Sequence, residues 1–324
     1  MSVWHGEQHC GTCIERFILF PRELITGKHL HSIQLAYRLQ RWHLNITALI
    51  LLTITAYYCS KMSTQYNTIQ APYDEVRKSS IALIERANVQ ETVAPFIKDA
   101  LVLDLACGSG FYSYDFLKWG ASKVVGVDIS SAMLEQARAA SSHMPSNSAT
   151  IEFMVADCSK PVAYEGGPFD LVFGAWLLNY APSGKEMVDM FRNIAINLKD
   201  GGHFVGVTPP PTQDPTAFVE AERKARPSGS GGLLCSASGA VEDGITFHAY
   251  ADTKHGDMDF DCYHLRKEVY EAAAREGGLR GKVAWSVTTV PEEFLKDRKG
   301  GASVEELESY KVTPHFGILV IAKN

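Results

Sequence analysis

A chain of 324 residues can bury one large core, and 31 basic against 37 acidic side chains leave it mildly acidic. No block of one sign is present, so the composition gives no electrostatic footprint for nucleic acid and favours a small-molecule partner. The seven cysteines (Cys10, Cys13, Cys59, Cys107, Cys158, Cys235 and Cys262) are scattered and odd in number, which suits reduced thiols in the cytoplasm rather than a disulfide framework.

Residues 1–61 form an N-terminal extension without a clear amphipathic period. It contains "LNITALILLTITAYYCS", seventeen uncharged residues from Leu44 to Ser60. A spanning helix needs roughly 20 mostly apolar residues, so three readings stand: a membrane anchor, a buried helical extension, or an upstream stretch ahead of a start at Met62. Arg38 and Arg41 before the run would keep an anchored N-terminus in the cytosol and send the remainder across. "HCGTC", with His5 and His9, lacks the second ligand pair of a structural zinc site, and no metal is expected.

From Ser79 the chain alternates. "SSIALIERANV" reads as a helix, "ALVLDLA" as an apolar strand, and "FYSYDFLKWG" as a helix closed by Gly120. "KVVGVDIS", the helix "SAMLEQARAASS", and the strands "TIEFMVADC" and "FDLVFGAW" follow. A helix then runs from Lys185 to Lys199, "DGG" stops it, and "GHFVGVTP" is the next strand. Strands alternating with helices predict an α/β fold with a doubly wound, mostly parallel sheet, which binds ligands at its carboxyl edge. After Pro209 come a turn, a short helix, a flexible glycine-serine loop and a hairpin, "GITFHAYADTKHGDMDFDCYHL", as an insertion over about 209–264. A helix, a strand, short helices around 292–309 and the strand "HFGILVIAK" complete the chain.

The sharpest local signal is "LVLDLACGSGFYSYDF". Gly108 and Gly110 let backbone approach a ligand closely, but the third glycine of a dinucleotide-binding turn is replaced by Ser113. Asp104, at the strand end, would repel a pyrophosphate and attract an ammonium group, while the helix start receives a carboxylate. Eighteen residues after Gly110, Asp128 is placed to accept ribose hydroxyls. Asp157 in "VADC" is placed to accept from an exocyclic amine, and Met133 lies near an adenine face. Amino acid, ribose and adenine together describe S-adenosylmethionine. Each feature alone is as often a turn glycine or a helix cap; four in order on consecutive strands are not.

On these motifs the chain, over about residues 62–324, resembles the class I S-adenosylmethionine-dependent methyltransferases, specifically the small-molecule members of natural-product pathways. "LDLACGSG", "VVGVDIS", "VADC", "FDLVFGAWLLNY" and "LKDGGHFVGV" carry the resemblance. It implies a Rossmann-like seven-stranded sheet and S-adenosyl-L-methionine as cofactor. It also implies that Ala106 and Gly108 meet the methionine part, Asp128 the ribose, and Asp157 with the Cys158 backbone the adenine, with Cys107 and Ile129 also among the cofactor-binding residues. Ala175 and Trp176 would line the methyl region, with Tyr66 or Tyr73 over the cofactor. The "NPPY"-type tetrad of nucleic-acid amine methylators is replaced by "GAWL", which argues against base methylation.

For the acceptor, the sequence offers Tyr112, Tyr114, Trp176, Asn179, Tyr180 and Tyr250, with His264, Tyr263 and His248 as candidate catalytic groups. The expected function is methylation of N or O on a small molecule, a secondary-metabolite tailoring step in the cytoplasm, or at a membrane if residues 44–60 anchor the chain. A catalytically silent S-adenosylmethionine-binding regulator and a nicotinamide-dependent dehydrogenase are the competing classes; the sequence sets no oligomeric state.

Overall fold

The computed structural model describes residues 70–140, 150–297 and 299–324, the side chains of 70 and 71 excepted. The extension 1–61, its apolar run, the "HCGTC" pair and Tyr66 lie outside these residues. Two helices lead in, α1 (Gln70–Val76) and α2 (Ser80–Val93), followed by β1 (Leu101–Leu105), α3 (Phe111–Trp119), β2 (Lys123–Asp128), α4 (Ser131–Ala140), β3 (Thr150–Val155) and β4 (Phe169–Ala175). Then come α5 (Gly184–Asn197), β5 (Leu198–Thr208), α6 (Pro215–Ala225), β6 (Leu234–Val241), β7 (Gly244–Thr253) and β8 (Gly256–Leu265). The chain closes with α7 (Lys267–Glu276), β9 (Val283–Val287), α8 (Glu292–Asp297), α9 (Val304–Ser309) and β10 (Gly317–Ala322).

The main sheet has the order β3-β2-β1-β4-β5-β10-β9, parallel over its first five strands with β10 antiparallel to both neighbours. Its central strands are apolar on both faces because helices cover both. Leu103, Leu105, Val125 and Val127 pack toward α5 and α7 through Met187, Phe191, Ile194 and Tyr270. Val102, Val124, Phe173 and Val205 pack the other way, toward α2 and α3 through Ile84, Val89 and Phe116. The order reverses between β1 and β4, so the carboxyl ends of those two strands border a natural ligand crevice.

Two expectations need correction. "DGG" does not separate helix from strand: α5 ends at Asn197, Lys199 already belongs to β5, and Gly201 with φ 75° forms a bulge that shifts the β4–β5 register between Phe169 and Leu171. The insertion is not a hairpin but a three-stranded antiparallel sheet, β6-β7-β8. β6 escapes a pattern reading because "LCSASGAV" is an exposed edge strand of small residues with no alternation.

The loop before β6 is held by Arg226. Its guanidinium is buried, stacks over the Tyr310 ring at 4.7 Å, and donates to Ser230 Oγ (2.9 Å), Ser309 Oγ (3.1 Å), Thr313 O (2.7 Å) and Glu222 Oε1 (2.9 Å). One side chain therefore fastens α6, the glycine-serine loop and the segment after α9. Replacing Arg226 by Met would strand these acceptors and the Glu222 carboxylate. We expect a loss of about 3–5 kcal/mol, read as a lower urea midpoint of the full chain.

Candidate active site

The glycine loop after β1 takes its shape from backbone that L-residues rarely adopt. Gly108 (φ 55°) and Gly110 (φ 82°) are left-handed, and a Cβ on Gly110 would come within 3.1 Å of Tyr114 and 3.2 Å of Phe153. A Cβ on Gly108 would meet nothing within 4 Å, so the loop opens onto free space there. Two non-glycine residues share the left-handed conformation at the adjacent strand ends, Ala106 (φ 56°) after β1 and Trp176 (φ 57°) after β4. Each costs about 1–2 kcal/mol, and both flank the crevice where the sheet order reverses.

Asp128 organises this loop. Its Oδ2 accepts the Gly108 N–H and its Oδ1 the Ser130 N–H, both at 2.8 Å. Burial raises its pKa, with the bonds to Ser130 and Gly108 acting against the shift. Ile129 beside it is 41% exposed, an apolar surface open to a planar ring. Asp157 stands just beyond β3, half-buried, with Oδ1 accepting from Ser159 N (2.9 Å) and Ser159 Oγ (2.6 Å).

Asp104 lies beneath the loop, 2% exposed, its Oδ2 accepting from Ser113 Oγ at 2.5 Å. The residue that replaces the third glycine thus holds the strand-end acid. Burial, and to a lesser extent Asp128, lift its pKa to about 7 against the Ser113 bond. No salt bridge pairs Asp104 among the described residues, so this buried carboxyl has no cation of its own. Arg77 supplies the complement. It is buried over the Phe111 ring at 4.1 Å, beside the start of α3, and its Nε and Nη2 have no hydrogen-bond partner. A buried acid without a cation and a guanidinium with two unpartnered nitrogens fit an amino acid's ammonium and carboxylate.

The α1 segment covers this arrangement. Asp74 approaches Ser109 Oγ at 3.5 Å and accepts from Gln136 Nε2. Tyr73 is half-buried on the same helix, and burial raises its pKa, with the Arg77, Glu85 and Asp128 charges all felt at its hydroxyl. Glu85 on α2 accepts from Arg77 Nη1 (2.9 Å), Tyr112 OH (2.7 Å) and Trp176 Nε1 (2.9 Å).

Next to this crevice lies a cavity of about 900 Å³ including its mouth. Its walls are largely apolar: Trp176, Phe218, Phe247, Met258 and Phe260 among them. Its polar groups are few, chiefly Arg77, Glu85, Asn179, Glu222, His264 and His315.

Strand pleating decides which acceptor-side expectations hold. On β7 the cavity takes Phe247 and Ala249, so His248 and Tyr250 point to the opposite face. There His248 Nδ1 lies 3.0 Å from Asp261 and its Nε2 3.5 Å from Asp259. On β8 the cavity takes Met258, Phe260, Cys262 and His264, so Tyr263 packs into the core behind the sheet. His264 reaches the cavity wall, but its Nε2 lies 2.9 Å from Pro210 O and must donate to it. Burial pulls its pKa down to about 4, leaving a neutral ring fixed in one tautomer.

Other residues serve packing. Met133 is 1% exposed and turns into the core rather than onto the adenine side. The Cys107 thiol packs against Gly126, whose Cβ would come within 3.0 Å of it, leaving its backbone at the loop. The Cys158 thiol donates to Val127 O at 3.7 Å and burial raises its pKa to about 12. Tyr112 and Tyr114 are buried, the latter donating to Ala137 O, and Tyr180 packs against the core, outside the cavity wall. Ala175 is the last residue of β4 and Asn179 reaches the cavity with its Oδ1 unpaired. Arg77, Glu85, Glu222 and His315 are the functional candidates missing from the sequence reading.

A seven-stranded sheet with this order, a glycine loop after its first strand, an acid ending the second and a crevice between β1 and β4 are the features of the class I S-adenosylmethionine-dependent methyltransferase fold. S-adenosylmethionine is the cofactor of the class. Residues 102–202 match the family described as "Methyltransferase domain". The mRNA cap guanine-N(7) methyltransferase of Caenorhabditis elegans is 31% identical over 174 residues, 46% of this chain and 45% of that protein. The "probable methyltransferase ltbC" of Aspergillus luteorubrus is 31% identical over 113 residues, 33% of this chain and 40% of that protein. The chain thus spans less than half the length of these curated relatives. Among solved structures, the CcbJ methyltransferase of Streptomyces caelestis superposes with a TM-score of 0.50 at 16% identity, covering 81% of this chain and 99% of that one, a likeness of fold. Among the described residues no group of three or more His, Cys, Asp or Glu could hold a metal ion, and no helix is long and apolar enough to cross a membrane.

Two outcomes follow from this geometry. Asp128→Ala removes the acceptor that fixes Gly108 and should weaken S-adenosylhomocysteine binding by on the order of 10- to 100-fold, as a charge-assisted bond is worth about 1.5–3 kcal/mol, measured by calorimetry. His264 is held at about 4 in the fold against 6.5 as a free side chain, so the unfolded chain takes up its proton first on acidification. Stability contributed above pH 6.5 is therefore lost as pH falls toward 4, by about 3 kcal/mol. His264→Gln should lack that part of the slope in urea midpoints measured across this range.

Proposed function

We propose that this protein is an S-adenosylmethionine-dependent methyltransferase acting on N or O of a small, flat or apolar molecule, in a tailoring step of secondary metabolism. The observation that carries the reading is the aromatic-walled cavity reaching Trp176 at the β4 end, beside the glycine loop. A cavity with few polar groups selects an acceptor by shape and apolar contact.

Asp104 would hold the cofactor's ammonium, Arg77 its carboxylate, Asp128 its ribose hydroxyls and Asp157 its adenine amine, with Tyr73 over the top. The cofactor supplies a methyl carbon bound to a sulfonium, which is a good leaving group. The chain's part is then mostly positioning: Trp176, fixed by Glu85, and the cavity walls align an acceptor with the crevice and exclude water. Such alignment is worth roughly 7–11 kcal/mol. The cap methyltransferase relative favours a second reading, a purine ring of a nucleic acid in the same cavity; the mild acidic excess speaks against it.

Calorimetry of the full chain is the first test: S-adenosylhomocysteine should bind and NADH should not, and binding of NADH alone would overturn the assignment. Deleting the gene and profiling metabolites should reveal a precursor lighter by one methyl group. Methylation of a guanine cap dinucleotide, with no change among small metabolites, would establish the second reading instead.

A further inference from the structure

His315, two residues before β10, lines the same cavity. It is 8% exposed, and its Nδ1 lies 3.1 Å from Glu222 Oε1. The same carboxylate oxygen is held at 2.9 Å by Arg226 Nη2, and Arg226 is itself saturated by Ser230, Ser309 and Thr313. The His315 backbone N–H donates to Thr288 Oγ1 at 2.9 Å, so ring and main chain are both fixed. The imidazole centroid stands 6.1 Å from that of Trp176, which also lines the cavity.

An imidazole beside a fixed carboxylate donates through Nδ1 and keeps its lone pair on Nε2. Among the described residues Nε2 meets no hydrogen-bond partner, and it is not among the buried polar atoms sealed from solvent, so it reaches the cavity space. Glu222 remains the ionised member of the pair: burial works to raise its pKa, but the bonds to His315 and Arg226 outweigh it and hold it low. The other titratable groups facing the cavity are Tyr73 and Arg77 from α1, Glu85 from α2, Cys235 from β6, and Cys262 and His264 from β8. Arg77 and Glu85 pair with each other, His264 donates to Pro210, and burial raises both thiols.

Resting on the methyltransferase reading above, we propose that the acceptor is an aromatic hydroxyl and that His315, oriented by Glu222 and Arg226, is the base that removes its proton. A neutral amine can attack before losing a proton and needs no such base. A hydroxyl in an apolar cavity does, because its oxygen is a weak nucleophile until the proton leaves. The acceptor O–H proton passes to Nε2 while an oxygen electron pair forms the bond to the methyl carbon. The carbon–sulfur bond breaks, its electron pair neutralises the sulfonium to a thioether, and the imidazolium releases its proton to solvent.

The test uses the full chain, its H315Q and E222Q variants, S-adenosylhomocysteine, and 4-nitrophenol as probe at a pH below the probe's own ionisation. Wild type should bind the probe and show the nitrophenolate absorption; H315Q should bind it with that absorption lost, and E222Q with it reduced. A bound probe that stays protonated in wild type, or ionises equally in H315Q, overturns the role of His315. Failure of wild type to bind the probe, with S-adenosylhomocysteine bound, overturns the hydroxyl class. If H315Q alone fails to fold, nitrogen-15 spectra of the histidines in wild type decide: an Nδ1–H tautomer for His315, weakened in E222Q, upholds the assignment and an Nε2–H tautomer overturns it. Absence of S-adenosylhomocysteine binding in wild type would instead remove the cofactor reading beneath the proposal.

Discussion

The Glu85 carboxylate is the interaction on which the site depends. Buried on α2, it accepts from Arg77 at the end of the α1 segment, from Tyr112 on α3 and from the indole of Trp176 beyond β4. Three separate parts of the chain are thereby referred to one point. A buried carboxylate is costly alone, and removing one of its partners costs far more than the bond itself. The left-handed backbone at Trp176 persists because the indole is held at its far end by this acid and the N–H by Val207 O at 2.8 Å. Arg77 spends one nitrogen on Glu85 and so presents its remaining donors in a fixed direction.

The sheet and its ligand loop were legible because their signals are local. An apolar run ending in Asp104, two glycines, and the acids at 128 and 157 fall at fixed places relative to strand ends, and periodicity alone locates those ends. The acceptor side was legible only as a list of aromatics and histidines. Whether His248, Tyr263 or His264 faces the cavity depends on strand phase, and one residue of phase exchanges the two faces. "AFVEAERKAR" reads as an amphipathic surface helix, and nothing within it signals that Glu222 and Arg226 are buried against residues some ninety positions later. The Arg77–Glu85 pair is hidden in the same way, since the turn between their helices, not their spacing, brings them together.

The matched stretch, residues 102–202, contains the glycine loop, Asp128, Asp157 and Trp176. Nearly all the cavity wall comes from elsewhere: α1 and α2 before it, α6 to β8 and His315 after it. The match to the family model therefore covers the glycine loop and its acids, while most of the cavity wall lies outside it.

The α1 helix has only seven residues, yet its Asp74 touches the glycine loop while its Tyr73 and Val76, with Arg77 just after it, line the neighbouring cavity. One short element is thus a wall of both compartments. A substitution in it cannot be assigned to one ligand by its position: saturation curves for cofactor and acceptor should drift together in α1 variants, whereas those on β7 and β8 should move the acceptor curve alone.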